Sequence, residues 1–256
     1  MDKLKARSVL VTGSNRGIGL ELVRQLSEKR NHPEWIFAMC RDPEGPCAQD
    51  LKDVAAKHPE VKIILLEVTD SSSIQAAVAK VTEHLQGAGL NLLINNAGII
   101  RLSTLESETG KNMSEVYKTN VIGPMMVSQA FLPLLRKASQ ESPQQGMSCS
   151  KAAIINMTSA SGSITDLPQW HLGQIINYRC SKTALNMLTR CQSLRYAEDE
   201  ILCIALTPGW VKTDMGGMQA PVTADTRVRV ILNTLGRLSE KDNGAFLNWE
   251  GIVLPW

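Results

Sequence analysis

Short apolar runs alternate with segments of helical period along nearly the whole chain. Residues 8–12 (SVLVT) make a run typical of a buried strand, and residues 17–30 follow with Ile18, Leu22 and Leu26 on one helical face. The couplet returns as a strand over 35–40 with a helix over 48–57, then a strand over 61–67 with a helix over 71–86 capped by Asp70. Strands are predicted over 91–95, 152–157, 202–207 and 245–248, and helices over 111–136, 175–199 and 220–238. The helix over 111–136 should bend at Gly123-Pro124. In the helix over 175–199, Ala184, Leu188 and Cys191 read as an apolar packing stripe.

Strands that are nearly continuously apolar are covered on both faces, as in parallel sheets. Right-handed crossovers then favour an open α/β sheet, a Rossmann-type doubly wound parallel sheet of about seven strands with helices on both faces. A closed barrel would need about eight strand–helix units, and the pattern has fewer. No repeat or linker divides the chain, and the polar stretch 137–151 reads as a surface loop, so residues 1–256 are expected to form one domain.

Composition narrows the functional classes. Of 256 residues 43% are hydrophobic and 20% charged, with a net charge of +2, too small a field to hold nucleic acid or an anionic membrane. No apolar run approaches the roughly 18 residues of a spanning helix, and residues 1–7 lack the apolar stretch of a secretion signal. A cytoplasmic location is the expectation. Six cysteines without a Cys-x-x-Cys and four histidines without metal-ligand spacing indicate buried or partly buried free thiols and no metal site.

Between the first strand and first helix lies Thr12-Gly13-Ser14-Asn15-Arg16-Gly17-Ile18-Gly19. Glycines there let main-chain N–H groups approach a pyrophosphate at the N-terminus of the following helix. The second strand ends at Cys40-Arg41, where a carboxylate would select NAD and a cation the 2′-phosphate of NADP. Arg16 and Arg41 together favour NADP(H) over NAD(H); Asp42 on the ribose would reverse that preference. Of three tyrosines only Tyr178 has a lysine four residues on, at Lys182. That spacing places both on one helical face, where a cation favours the phenolate and draws a poor acid toward useful pKa.

The glycine loop, Asn95-Asn96-Ala97-Gly98, Asn120, Ser159, the Tyr178/Lys182 pair and Pro208-Gly209 occur in an order that closely resembles the short-chain dehydrogenases/reductases of the compact single-domain type. Residues 178–186 (YRCSKTALN), 208–217 (PGWVKTDMGG) and 246–256 (FLNWEGIVLPW) are similar to the sniffer and C-factor branch, which includes NADPH-dependent carbonyl reductases. The resemblance covers essentially the whole chain. It implies Tyr178 as proton donor to a carbonyl, Lys182 as the group tuning the phenol and holding the nicotinamide ribose, Ser159 as the support of the carbonyl oxygen, and Asn120 as holder of a water. It implies cofactor contacts at Gly13, Ser14, Asn15, Arg16, Gly17, Ile18, Gly19, Arg41, Val68, Asn96, Ala97, Gly98, Tyr178, Lys182, Pro208, Gly209, Val211 and Thr213. Two departures stand out: Glu67 occupies a position usually held by Asp, and Ser159 lies farther from Tyr178 than is usual. An insertion around 165–174 accounts for the second, and leaves Ser161 and Ser163 as alternative serines.

The inserted loop and the segment 210–222 should flank the cleft. Leu167, Trp170, His171, Trp210, Met215 and Met218 are expected either to wall an apolar substrate site or to anchor their own loops. The partner expected is a small carbonyl compound, an aldehyde, ketone or quinone, with no nucleic acid and no membrane. A homodimer or homotetramer is left open. A dinucleotide-binding sensor with little turnover is the competing reading. A sugar-nucleotide epimerase fits poorly, because no extra substrate domain follows the sheet.

Overall fold

The computed structural model describes residues 4–256; the first three residues, part of the stretch read above for a leader, lie outside them. Strands β1 (Ser8–Thr12), β2 (Trp35–Cys40), β3 (Val61–Leu65), β4 (Leu92–Asn95), β5 (Ala153–Met157) and β6 (Leu202–Leu206) fall on the apolar runs. They join a short last strand, Phe246–Leu247, in a seven-stranded sheet whose described pairings are all parallel. Counting that strand as β9, after a small pair β7 (Val211–Lys212) and β8 (Val222–Thr223), the order is β3-β2-β1-β4-β5-β6-β9. The expected doubly wound sheet is therefore present.

Alternation along the strands divides the core in two. Val9, Val11, Ile36 and Ile155 face a layer built from helices α1 (Gly17–Ser27), α2 (Gln49–Lys57) and a later helix through Val228 and Ile231. Leu10, Phe37, Leu93 and Ile154 face α3 (Ser71–Leu85) and a long helix through Val127, Phe131 and Leu135. Successive side chains of a strand point to opposite faces, so β1, β2 and β5 each feed both cores.

The predicted helix over 111–136 is three pieces: α4 (Gly110–Tyr117), a wide π turn over Lys118–Ile122, and α5 (Gly123–Glu141). The Gly123 N–H reaches five residues back to the Lys118 carbonyl. Pro124 has no N–H to offer the carbonyl four residues before it, at Asn120, so the ladder loosens at the expected place. α5 then runs five residues into the stretch read as a loop, until Ser142 precedes Pro143, which disfavours helical backbone at its predecessor. The last long helices are α6 (Ile176–Arg195) and α7 (Ala224–Leu235). α7 starts later than the periodicity predicts, because residues 222–223 pair with β7 and the Thr223 side chain caps the helix.

Helix α6 departs from the expected apolar stripe. Its buried residues are Asn177, Arg179, Ser181, Lys182, Leu185, Asn186, Thr189, Gln192 and Ser193, while Ala184 and Leu188 are half-buried and Cys191 is exposed. Hydrogen bonds replace apolar contacts: Asn156 Nδ2, on β5, donates to Thr189 Oγ1 (2.9 Å) and Gln192 Oε1 (2.8 Å). Among the cysteines, Cys40, Cys149 and Cys203 are buried free thiols, but Cys47, Cys180 and Cys191 are exposed. Among the described residues no cluster of His, Cys, Asp and Glu could hold a metal, and no helix is long and apolar enough to cross a membrane.

Candidate active site

The strand order reverses between β1 and β4, and the loops after these strands face each other across the resulting crevice, where open α/β sheets bind ligands. Thr12 joins them: its Oγ1 accepts the N–H groups of Asn96 and Ala97, both at 2.9 Å. In return Asn96 Nδ2 donates to the carbonyls of Thr12 (3.0 Å) and Gly13 (3.2 Å). A Cβ on Gly19 would stand 2.1 Å from the Gly13 carbonyl oxygen, so only glycine lets the helix begin this close to the loop. Gly13 and Gly17 have φ of +66° and +55°, the left-handed backbone that glycine enters without strain.

Helix α1 starts after Arg16 with no side-chain cap and no acidic residue in its first turn. Its leading N–H groups and the positive end of its dipole are therefore directed into the crevice, suited to a pyrophosphate. The residues present thus fit a dinucleotide, and Gly13, Asn15, Arg16, Gly17 and Ile18 line the place it would take. From the end of β2, Cys40 and Arg41 line the crevice and Asp42 does not; the Asp42 carboxylate folds toward Gly45 instead, where a Cβ would meet it at 2.1 Å. Both arginines are exposed and lightly held, Arg16 by Asp214 (3.1 Å) and Arg41 by Glu67 (4.0 Å).

Val68, Asn96, Ala97, Gly98, Pro208 and Thr213 complete the lining on the expected side. Ser14, Gly19, Gly209 and Val211 do not reach it and act as supports. Ser14 is fully buried, its hydroxyl donating to the Val11 carbonyl at 2.6 Å. Gly209 (φ +71°) packs so tightly on Trp249 that a Cβ would come within 2.5 Å of the ring. Leu66, Thr119, Met157 and Thr158 also line the crevice; the sequence offered no signal for them beyond their place at strand ends and in the π turn.

Tyr178 and Lys182 meet as the helical step requires, with Lys182 Nζ 5.4 Å from the Tyr178 ring centre, and both line the crevice. Lys182 is buried and donates to the Met157 carbonyl at 2.8 Å. Ser159 follows β5 and stands beside the Tyr178 hydroxyl, near enough to lower its pKa. Ser161 instead donates its N–H to Ser159 Oγ (3.1 Å), and the buried Ser163 hydroxyl accepts from Asp166 N (2.9 Å). Of the three serines, Ser159 stands at the phenol. Asn120 is fully buried in the π turn; Oδ1 accepts from Ile99 N (2.8 Å), while Nδ2 donates to the Ile99 carbonyl (2.9 Å) and Ser181 Oγ (3.0 Å). A Cβ on Gly98 would lie between Asn120 and Lys182, 3.3 and 3.7 Å from their polar atoms.

The protonation chemistry differs in direction from what the spacing suggests. Burial pushes the Tyr178 hydroxyl up to about 12, only partly offset by Ser159 beside it. Burial likewise pulls the Lys182 ammonium down to about 8. Desolvation penalises both charged forms. The apolar wall is also different: of the six residues expected there, only Met215 lines the crevice. Trp210 donates its indole N–H to the Gly216 carbonyl at 2.7 Å, the anchoring role. Leu167, Trp170, His171 and Met218 are exposed on the flanking loops.

The family model for short chain dehydrogenases matches residues 7–222. The NADPH-bound carbonyl reductase from chicken fatty liver superposes with a TM-score of 0.97 at 61% identity, over 100% of this chain and 96% of the other. The carbonyl reductase Sniffer of D. melanogaster superposes with a TM-score of 0.93 at 38% identity, over 98% and 100%. C-signal of Myxococcus xanthus is 32% identical over 168 residues, covering 65% of this chain and 93% of that protein.

Proposed function

The chain belongs to the short-chain dehydrogenases/reductases, and from that premise we propose that it is an NADPH-dependent carbonyl reductase, reducing an aldehyde, ketone or quinone with Tyr178 as proton donor. One observation carries the reading: Tyr178, its hydroxyl beside Ser159 and its ring one helical turn from Lys182, lines the same crevice as the glycine loop. Gly13 to Ile18 would hold the pyrophosphate, Asn96 to Gly98 and Lys182 the nicotinamide half, and Arg16 with Arg41 the 2′-phosphate. A dinucleotide held there would supply the hydride for the carbonyl carbon.

The chain's own groups manage the oxygen. Ser159 Oγ and Tyr178 Oη form a hydroxyl pair able to hold a carbonyl oxygen between them. With its pKa near 12 the phenol keeps its proton at neutral pH, and an oxygen turning into an alkoxide is the stronger base, so the proton passes to it from Oη. The O–H bond of Tyr178 breaks as that of the alcohol forms. Lys182, poised near pH 8, stabilises the resulting phenolate and returns a proton to it, with Asn120 holding the path behind it. Two exposed guanidiniums, each held only by a single surface carboxylate, and no carboxylate from the end of β2 facing the crevice, support NADP(H) over NAD(H). Likeness to the chicken and Drosophila carbonyl reductases supports the substrate class, and the reaction needs no nucleic acid or membrane.

The test is oxidation of NADPH against a panel of aldehydes, ketones and quinones, with NADH as control. Turnover with NADPH that Tyr178→Phe abolishes is the expected result; no turnover with any carbonyl overturns the proposal. The likeness to C-signal favours a second reading, a dinucleotide-binding signalling protein. In that case Tyr178→Phe leaves partner binding and signalling intact, and the assembled Ser159, Tyr178, Lys182 and Asn120 have no task.

A further inference from the structure

Helix α6, which carries Tyr178 in its first turn, has no cap of its own. The residue before it, Ile175, has a side chain that cannot accept a hydrogen bond and a left-handed backbone (φ +41°) unusual for a β-branched residue. No acidic residue stands in its first turn. The missing group comes from elsewhere in the chain. Glu108, in the segment between β4 and α4, accepts the main-chain N–H of Asn177 at 3.1 Å and the Asn177 side-chain amide at 2.6 Å through Oε2. The same oxygen accepts from Ser103 Oγ (2.5 Å), and Oε1 accepts from Thr109 N (2.8 Å).

Asn177 is buried and doubles the link, donating to the Arg101 carbonyl (3.0 Å) and accepting from Arg101 N (3.3 Å). Ile175 N donates to the Ser103 carbonyl (3.0 Å), and Gln174 Oε1 accepts from Leu105 N (2.7 Å). Residues 101–108 are thus fastened along 174–177, and at Ile99 the same segment is held by Asn120. Burial opposes ionisation of Glu108, but bonds from Ser103, Thr109 and Asn177 outweigh it and hold the carboxyl down to about 2. It is an anion at any working pH, at the end of a helix whose dipole favours one.

We infer that Glu108 is a positioning residue of the reduction: its carboxylate supplies the cap that helix α6 lacks and so sets where the Tyr178 hydroxyl stands. This rests on the carbonyl-reductase reading. It adds a group that does not line the crevice and a division of effects, since the glycine loop is built from other elements.

The test compares the wild-type protein with Glu108→Gln and Glu108→Ala, each checked for a native fold by circular dichroism. Gln keeps the shape but must turn an NH₂ toward a donor; Ala removes the cap. A misplacement of about 1 Å costs on the order of a hundredfold in rate, so kcat should fall about tenfold in Gln and up to about a hundredfold in Ala. The Kd for NADPH should change far less than kcat, because the glycine loop is untouched and Lys182 keeps its own bond to the Met157 carbonyl. The primary isotope effect with deuterated NADPH should grow as the chemical step becomes limiting, a signature that mere loss of stability does not produce. Amide exchange at 176–179 should quicken while the sheet stays protected. A folded Glu108→Gln variant with wild-type kcat and isotope effect overturns the inference. A wild-type protein that turns over no carbonyl overturns the reading beneath it instead, so the two failures are distinct.

Discussion

Replacing Lys182 with Met should stabilise the fold while abolishing turnover. In the folded protein the ammonium is buried, 4% exposed, with the Met157 carbonyl at 2.8 Å as its hydrogen-bond partner among the described residues. Burial lowers its pKa from 10.5 to about 8, a difference of about 3 kcal/mol that the folded state bears while the lysine is protonated. Met is similar in length and carries no charge, but it leaves the Met157 carbonyl without its donor, a loss of about 1 kcal/mol. A net gain of about 2 kcal/mol remains, or about 5 °C in Tm for a chain of this size. The sign depends on pH. A base whose pKa is depressed on folding destabilises the fold below its folded pKa, and that penalty fades as the pH rises from 8 to 10.5, where the unfolded lysine also loses its proton. The gain from Lys182→Met should therefore be full at pH 7 and shrink toward pH 10.5. Urea unfolding at both pH values measures it, and a variant less stable than wild type at pH 7, or equally stabilised at both, refutes the reasoning.

Other perturbations follow from the same geometry. Gly19→Ala should displace the glycine loop by about 1 Å to relieve the contact with Gly13 and weaken NADPH binding more than about tenfold, read by fluorescence titration. Arg16→Ala with Arg41→Ala should erase the discrimination between NADPH and NADH, costing kcat/KM with NADPH about a hundredfold and leaving NADH almost unchanged. Because burial holds the Tyr178 phenol near 12, reduction should show no loss from its ionisation anywhere below that pH; a plot of kcat against pH that falls with a tyrosine-like pKa below 10 contradicts this.

The sheet was readable because its inner strands are nearly continuous apolar runs, a pattern that follows from burial on both faces and needs no partner to recognise. The glycine loop and the Tyr178–Lys182 step were readable for a similar reason, since each is set by local backbone geometry. Contacts that span the chain left no such mark. Glu108 meets Asn177 across 69 positions, and nothing in the spacing of either betrays it. The direction of the Tyr178 shift was invisible for a different cause: sequence shows the cation one turn away, but not how much water the fold removes from both groups. The loop wall failed in the same way, as Leu167 and Trp170 carry an apolar signature that says nothing about which side of the loop meets solvent.

Helix α6 shows why such contacts matter more than their number. An apolar stripe, as periodicity suggested for Ala184, Leu188 and Cys191, would hold the helix to the sheet by non-directional attraction and tolerate a small rotation about its axis. The buried face instead presents Asn177, Ser181, Lys182, Thr189 and Gln192. Asn156 on β5 binds Thr189 and Gln192 and accepts from Asn95 of β4 at 2.8 Å, while Asn95 also donates to Ser128 of α5 at 3.0 Å. Each of these bonds fails if the helix turns by a fraction of a residue step, and a buried polar group left unpaired costs on the order of 1–3 kcal/mol. The network therefore fixes the rotation of α6 in a way that leucines could not, and its first turn is pinned separately through Asn177. Rotation is the quantity that decides whether the Tyr178 hydroxyl faces Ser159 and the crevice or the helix flank. The polar face thus gives up apolar burial for placement, and the site lies on the element where that exchange was made.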